Sequence, residues 1–161
     1  MSMTSVALLL MAGTVGYALL LFVLFRFQRR LLFLFRGRTM PVIDRRLLPT
    51  AEAGTIETSD GERLVAWTVA PRGNAPVLVY LPGALDNLSQ SRRQARFAAL
   101  TEQGFGLLAI DYRGYGASTG TPSEQGFRRD ARAAHAEAMR RFGRERLVLY
   151  GESMGTVLAT Y

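Results

Sequence analysis

The sequence predicts an α/β fold, a mostly parallel sheet with crossover helices, preceded by a single transmembrane helix. Three observations predict it. Residues 6–25 form an apolar run without a charge, and from residue 54 onward short apolar runs alternate with longer amphipathic segments. Three of the short runs, at 77–81, 105–110 and 147–150, are continuously apolar, which is typical of parallel strands buried on both faces. Strands that alternate with helices favour one sheet whose connections cross over its faces.

The first apolar run is long enough to cross a membrane. Its twenty residues, at ~1.5 Å each, span ~30 Å, the thickness of the hydrocarbon core. A cleaved signal peptide would carry a basic N-terminal region and a shorter apolar stretch. Residues 1–5 form a short N-terminus without Lys or Arg, and Arg26 follows the run directly. A retained anchor is therefore favoured over a signal peptide, and the lipid bilayer is the first expected partner.

Basic residues concentrate beside this run. Residues 1–46 hold seven Arg and one acid, whereas residues 47–161 hold thirteen Arg and twelve acids. The Arg residues near the run all follow it: Arg26, Arg29, Arg30, Arg36 and Arg38. The positive-inside rule therefore predicts a single-pass protein whose soluble domain lies in the cytoplasm.

Residues 26–49 are predicted to be a basic juxtamembrane segment and linker, in which Pro41 and Pro49 bracket the linker. The Arg residues either extend the helix along the interface, at about 1 kcal/mol each against anionic headgroups, or form a plain stop-transfer flank. Because the excess charge belongs to this segment and not to a folded face, no nucleic-acid partner is expected.

The domain over residues 50–161 begins with a predicted hairpin. Strands at 55–58 and 64–70 are joined by the turn Ser59-Asp60-Gly61, which has the composition of a hairpin turn. Trp67, in the second of these strands, is expected to pack against the sheet.

Two helices are predicted between the later strands. The first covers residues 88–103, and its Arg side chains are expected on the polar faces: Arg92, Arg93 and Arg96. The second is expected to open with a capping box of Thr121 and Glu124, with Pro122 as the first helical residue, and to continue to residue 142.

Composition excludes several kinds of site. The chain contains no Cys, so it has no disulfide, thiol nucleophile or thiolate metal site. Its one His, at position 135, excludes a multi-histidine metal site. Neither a metal nor another cofactor is expected.

A G-x-S-x-G motif follows the third apolar strand, as Gly151-Glu152-Ser153-Met154-Gly155, and a helix-compatible segment comes next. In this context the motif predicts a sharp turn that lifts the Ser153 hydroxyl clear of the sheet as a nucleophile. Gly151 and Gly155 leave room for the neighbouring backbone. The N-terminus of the following helix and the N–H of Met154 would favour the negative charge that develops in acyl transfer.

Three stretches together resemble the α/β-hydrolase superfamily, in particular its membrane-anchored α/β-hydrolase-domain proteins: residues 58–67, 111–124 and 151–155. The resemblance covers residues 50–161 in unbroken order. It implies a Ser, Asp, His triad in that chain order, with Ser153 as the nucleophile. It also implies an oxyanion hole made by the backbone N–H groups of Ala84 and Met154.

The chain departs from this family in two places. It has Pro82-Gly83-Ala84 where the family usually has His-Gly-Asn, although Ala84 keeps a backbone N–H. The sequence ends at Tyr161, inside the helix after the nucleophile, so the triad Asp and His are absent from this chain and the hydrolase domain is expected to be incomplete.

Three other polar residues are assigned structural roles. Asp111 and Asp86 precede Ser153 in the chain and are predicted to be turn residues. His135 lies in the middle of a predicted helix and is expected to pack or to face solvent. Glu152 is expected to point away from the nucleophile.

Two functions remain open at this point. The leading one is a membrane-anchored serine hydrolase that cleaves an ester, thioester or amide through an acyl-enzyme on Ser153. The alternative is a non-catalytic α/β-hydrolase-like domain that binds or scaffolds at the membrane. Taken alone, residues 1–161 are predicted to be inactive, and the edge of the strand at 147–150 is predicted to be open to association.

Overall fold

The computed structural model describes residues 2–33, 37–85 and 87–160, in two compact units that meet in sequence between Leu34 and Phe35. The first unit is helix α1, Met3–Leu32. In the part of the chain described, one stretch, Met3–Gln28, is long and apolar enough to cross a membrane, with a mean hydropathy of 2.4. It contains the predicted span at 6–25, and the helix continues into the basic flank.

The second unit contains a five-stranded sheet in the order β1-β2-β4-β3-β5. The strands are β1 Glu52–Glu57, β2 Arg63–Val69, β3 Val77–Leu81, β4 Gly106–Ile110 and β5 Leu147–Gly151. The pairs β1–β2 and β2–β4 are antiparallel, whereas β3 runs parallel to both β4 and β5. The sheet is mixed, and the parallel strands are the three that were predicted from their continuous apolar runs.

Helices connect the parallel strands. They are α2 Ser91–Glu102, α3 Glu124–Phe142 and α4 Met154–Leu158. Helix α2 leads from β3 to β4, and α3 then crosses back past β3 to β5 on its other side. The strand order therefore reverses at β3. In open α/β sheets, the crevice at the carboxyl ends of the strands beside such a reversal is where ligands bind.

The central strands of the sheet, β2, β3 and β4, are covered on both faces. On the face that holds Trp67, the Tyr80 ring of β3 meets Phe97 of α2 edge-on, with ring centroids 4.8 Å apart. Trp67 is fully buried there, as predicted. Helix α3 contacts β1, β3, β4 and β5, and its buried residues include Phe127 and Ala134. This packing fixes the carboxyl ends of β3 and β5 beside each other.

Both helix starts differ from the sequence prediction because side chains cap local turns. Helix α2 begins at Ser91, not at residue 88, since the Asn87 side chain accepts the N–H of Ser89 at 2.9 Å and holds a turn there. Helix α3 begins at Glu124 with Ser123 as its cap, and the Ser123 hydroxyl accepts the N–H of Gly126 at 3.1 Å. The predicted capping box at Thr121 is not used.

The segment assigned to a linker is packed onto the domain from Gly37 onward. Leu48 is 2% exposed and belongs to the hydrophobic core. The N–H of Asp44 donates to the Gln94 side-chain oxygen at 2.7 Å, and the Gln94 amide donates to the carbonyl of Val42 at 3.1 Å. These contacts with α2 make this part of residues 26–49 a structural element of the second unit and not a linker.

Strand β5 is more exposed than its apolar sequence indicated. Val148 is 46% exposed and Leu149 is 41% exposed. Among the described residues, β5 pairs with β3 alone. The outer side of the strand therefore stays open, as the sequence analysis expected for this edge.

Candidate active site

Ser153 lies in the sharp turn between β5 and α4. Its backbone has φ 52° and ψ −114°, and it is the only residue other than glycine with a positive φ in the part of the chain described. Such a conformation costs about 1–3 kcal/mol and persists only where the surrounding structure enforces it. The Ser153 side chain is exposed. The strained, exposed serine is the geometry that the G-x-S-x-G motif predicts.

The two motif glycines allow close backbone packing around this turn. A Cβ on Gly151 would lie 2.5 Å from the carbonyl oxygen of Gly155, and a Cβ on Gly155 would overlap the carbonyl oxygen of Leu81. The turn thus passes directly against the end of β3. A side chain at either position would push the turn away from the sheet.

Backbone hydrogen bonds hold the turn in place. The N–H of Glu152 donates to the carbonyl of Leu81 at 3.0 Å, and the N–H of Thr156 donates to the carbonyl of Ser153 at 3.0 Å. Helix α4, which follows, has only five residues. Within the described residues, no backbone hydrogen bond is found from the N–H of Met154.

The loop after β3 approaches the nucleophile through Gly83. A Cβ on Gly83 would lie 3.3 Å from the Ser153 Cβ and 3.9 Å from the Ser153 Oγ. Ala84 comes next, and its carbonyl accepts a hydrogen bond from the buried Tyr115 hydroxyl at 2.9 Å. No hydrogen bond from the N–H of Ala84 is found in the described part of the chain. The structure therefore brings together the two loops that carry Ser153, Ala84 and Met154.

Gly83 and Tyr115 have no role that the sequence predicts. The sequence feature that could have indicated Gly83 is its position two residues after the buried strand β3. A residue without a side chain at that point lets two loops approach each other. Tyr115 gave no such signal, because its partner lies thirty-one positions away in the chain. Burial raises the pKa of Tyr115 to about 12, so its hydroxyl remains a hydrogen-bond donor at neutral pH.

Asp111 supports the same loop from β4. Its carboxylate accepts the N–H of Leu88 at 2.9 Å, and its carbonyl accepts a hydrogen bond from the Ser118 hydroxyl at 2.8 Å. The structural role predicted for Asp111 is confirmed, with the loop after β3 as an additional partner. Asp86 lies outside the described residues.

A buried ion pair fixes the segment after β4. The Arg113 guanidinium donates to Asp130 at 2.9 Å and to both oxygens of Asp60 at 2.8 and 2.9 Å. Burial raises the pKa of Asp130 despite the bonds from Arg113, whereas the bond from Arg113 lowers the pKa of Asp60. The charges of Arg113, Asp60 and Asp130 therefore pair with one another and have a structural role.

His135 is half-buried on α3 and lines a cavity of about 190 Å³ together with Leu149 and Leu158. Ser153 does not line this cavity. The structure thus gives His135 a place in helix packing. Across residues 2–33, 37–85 and 87–160, no group of three or more His, Asp or Glu side chains is arranged to hold a metal ion.

Glu152 points away from the nucleophile, as expected, and into a polar cluster. Its carboxylate accepts hydrogen bonds from the Tyr80 hydroxyl and, at 2.8 Å, from Arg96. Burial would raise the pKa of Glu152, but the Tyr80 bond and the charges of Arg93 and Arg96 outweigh it and lower that pKa. Glu152 is therefore an anion fixed to β3 and α2.

Ser153 has a strained backbone and lies between a parallel strand and a helix. The loop that contains Gly83 lies beside it, where the strand order reverses. This arrangement is typical of the α/β-hydrolase fold. The sequence profile described as the alpha/beta hydrolase fold matches residues 76–161. The chain belongs to this family.

Several characterised and uncharacterised proteins are similar to parts of the chain. It is 36% identical over 104 residues to human Protein ABHD12B, which covers 65% of this chain and 29% of that protein. It is 35% identical over 85 residues to the zebrafish lysophosphatidylserine lipase ABHD12, covering 53% of this chain and 22% of the lipase. An uncharacterized Mycobacterium tuberculosis protein is 34% identical over 136 residues, covering 82% and 47%. The chain spans less than half the length of these relatives.

Solved structures agree on the fold. The alpha-beta hydrolase of Vibrio vulnificus is 26% identical, with a TM-score of 0.66 over 84% of this chain and 50% of that one. The Pyrococcus furiosus esterase Pf2001 is 21% identical, with a TM-score of 0.65 over 76% of this chain and 50% of that one. The second likeness concerns the fold alone.

Proposed function

We propose that this chain carries the nucleophile and the oxyanion hole of a membrane-anchored serine hydrolase that cleaves an ester, thioester or amide. The observation that carries the proposal is the strained backbone of Ser153 next to Gly83. A backbone conformation that costs free energy and is enforced by its surroundings is frequent at functional sites and supports this assignment.

In the proposed reaction, the Ser153 Oγ attacks the acyl carbonyl as its proton passes to a base. The negative charge on the carbonyl oxygen is stabilised by the N–H groups of Ala84 and Met154; one such donor is worth about 10²–10³-fold in kcat. The bond to the leaving alcohol, thiol or amine breaks as that group takes the proton. Water then hydrolyses the acyl-enzyme and restores the Ser153 hydroxyl.

The base is not supplied by these residues. In the family order, Asp and His follow the nucleophile, and residues 154–161 contain neither. We therefore expect residues 1–161 taken alone to show no turnover.

A lipid-type acyl ester is the proposed substrate class. Relatives of this chain include lysophosphatidylserine lipases, and helix α1 is apolar enough to hold the domain at a bilayer. We propose that α1 is a retained anchor and that the flanking Arg residues keep the domain in the cytoplasm.

A non-catalytic binding or scaffold domain is the second candidate. The observation that favours it is Pro82, which replaces the usual His of the loop after β3. The two functions differ in whether Ser153 reacts.

A fluorophosphonate probe, which phosphonylates activated serines with loss of fluoride, distinguishes them. We expect the full-length protein in membranes to be labelled on Ser153 and the Ser153→Ala variant to be unlabelled. Ser59→Ala, in an exposed turn, is the matched control and should label as the parent does. Labelling that survives Ser153→Ala, or that maps to Ser118 or Ser123, would refute the assignment. An unlabelled but folded parent protein would favour the binding domain.

A further inference from the structure

Arg93 is a buried guanidinium for which the proposed reaction gives no role. Sequence analysis placed it on a polar face of the helix, but it is 1% exposed, whereas its neighbour Arg92 is exposed. A buried charge is destabilising unless it is paired and hydrogen-bonded. The hydrogen-bond partners of Arg93 therefore indicate which segments of the fold its guanidinium connects.

One set of partners belongs to the loop after β3. The Arg93 Nη1 donates to the carbonyl of Asn87. Asn87 lies at the end of the loop that contains Gly83 and Ala84, and its side chain also donates to the carbonyl of Thr39 at 2.9 Å. Arg93 therefore ties the distal end of the proposed oxyanion loop to α2.

The other set of partners belongs to the nucleophile turn. The Arg93 Nε donates to the Tyr80 hydroxyl at 2.9 Å, and the Tyr80 hydroxyl donates to the Glu152 carboxylate. The Arg93 Nη2 also lies 3.6 Å from the second Glu152 oxygen. Glu152 precedes Ser153 directly, so the same guanidinium reaches the turn that carries the nucleophile.

The chemistry of these groups suits a rigid connection. A guanidinium presents its donors in a fixed planar fork, whereas a Lys ammonium offers a single charged point on a flexible stem. Burial and the hydrogen bond to Glu152 raise the pKa of Tyr80, so its hydroxyl keeps the proton that it donates.

Arg96 provides a contrast on the same helix. It donates to the same Glu152 carboxylate at 2.8 Å, but its side chain is 43% exposed. Solvent screens an exposed pair, and such pairs contribute little. The other hydrogen bond of Arg96 goes to the Tyr150 hydroxyl at 3.3 Å, on β5 and not on the loop after β3. Of these two arginines, Arg93 alone is buried and also bonded to Asn87 in the described structure.

We propose that Arg93 is a positioning residue that fixes the nucleophile turn against the oxyanion loop, acting through Tyr80 and Glu152 on one side and the Asn87 carbonyl on the other. The effect on the reaction rate rests on the proposed hydrolase function. Arg93 would act on that rate by fixing the distance between the Ser153 hydroxyl and the Ala84 N–H. Small errors in such a distance have large effects, since a displacement of about 1 Å can lower a rate about 10²-fold.

The test uses the full-length protein with Arg93→Met, which keeps the stem and removes the fork, and Arg93→Lys, which keeps only the charge. Arg92→Met is the matched control on the exposed face. We expect Arg93→Met to lower kcat for a p-nitrophenyl ester by about 10–100-fold with KM changed less than about 3-fold. Arg93→Lys should recover only part of the loss, and Arg92→Met should be unchanged.

Active-site titration and hydrogen–deuterium exchange separate positioning from simple unfolding. The kcat is expressed per titrated Ser153 site, so a wild-type value per site in Arg93→Met would overturn the proposal. Exchange in peptides covering residues 82–90 and 151–156 should rise together in Arg93→Met but not in Arg92→Met. If Arg93→Met does not fold, Arg93→Lys and Tyr80→Phe carry the same comparison.

The exchange measurement does not depend on catalysis. If exchange rises in both peptides of Arg93→Met while the probe fails to label the parent protein, that result would refute the hydrolase function and keep the connection between the two loops. Wild-type exchange and wild-type kcat in Arg93→Met, Arg93→Lys and Tyr80→Phe, in a parent that is labelled, would refute the connection while keeping the hydrolase function.

Discussion

A single methyl group at Gly83 should impair the proposed chemistry more than it impairs folding. The φ of Gly83 is not positive, so alanine can adopt its backbone conformation. The added Cβ would lie 3.3 Å from the carbonyl oxygen of Glu152 and 3.3 Å from the Ser153 Cβ. These contacts are tighter than ordinary van der Waals packing, so the loop and the turn must separate by a few tenths of an ångström.

Such a shift moves a donor relative to the oxygen that it must stabilise. Oxyanion donors act at about 2.7–3.1 Å, and the loss of one costs about 10²–10³-fold. We expect Gly83→Ala to lower kcat/KM about 10–100-fold, while overpacking destabilises the fold by about 1 kcal/mol.

The assay is p-nitrophenyl ester hydrolysis by the full-length protein, with Tm measured in parallel. Gly54→Ala is the matched control, because nothing lies within 4 Å of a Cβ at that position in β1. Wild-type kcat/KM in Gly83→Ala would refute the reasoning, and so would a loss of activity fully accounted for by a lower folded fraction.

Two further predictions concern the charge and the orientation of the protein. Hydrogen bonds from Arg140 and Arg141 lower the pKa of Glu137 from 4.5 to about 2, so this group stabilises the fold above its unfolded pKa and loses that effect as the pH falls towards 2. Glu137→Gln should therefore flatten the decline of Tm over that range, and an unchanged acid slope would contradict the role of this pair. Because the chain has no Cys, cysteines introduced singly at Ser2 and Ser59 report topology to an impermeant maleimide. Labelling of position 2 but not 59 in intact cells is expected, and the reverse pattern would overturn the cytoplasmic orientation.

Local rules were enough to predict the sharp turn at Ser153 and the strands around it. The apolar run at β3 and the glycines around Ser153 depend on neighbours within a few residues, so the sequence displays them directly. The apolar run of β5 predicted the strand, but not how much of it stays exposed.

Long-range contacts account for what the sequence did not reveal. The contact between Asp44 and Gln94 joins residues fifty positions apart, and no local pattern marks such a segment as packed. Arg93 was placed on a polar face because charge in a helix normally indicates solvent. Its partners, Tyr80 and Glu152, come from two different strand ends, and only the folded sheet brings them together.

The strained backbone at Ser153 also has an evolutionary consequence. Glycine has no Cβ and would occupy φ 52°, ψ −114° without the strain that serine bears. A lineage that had given up acyl transfer would therefore meet no steric penalty on drifting to glycine at this site. Serine at position 153 is the residue that selection for chemistry would retain against that drift. Under the proposed function, glycine at this position in a sister protein would mark one that no longer forms the acyl-enzyme.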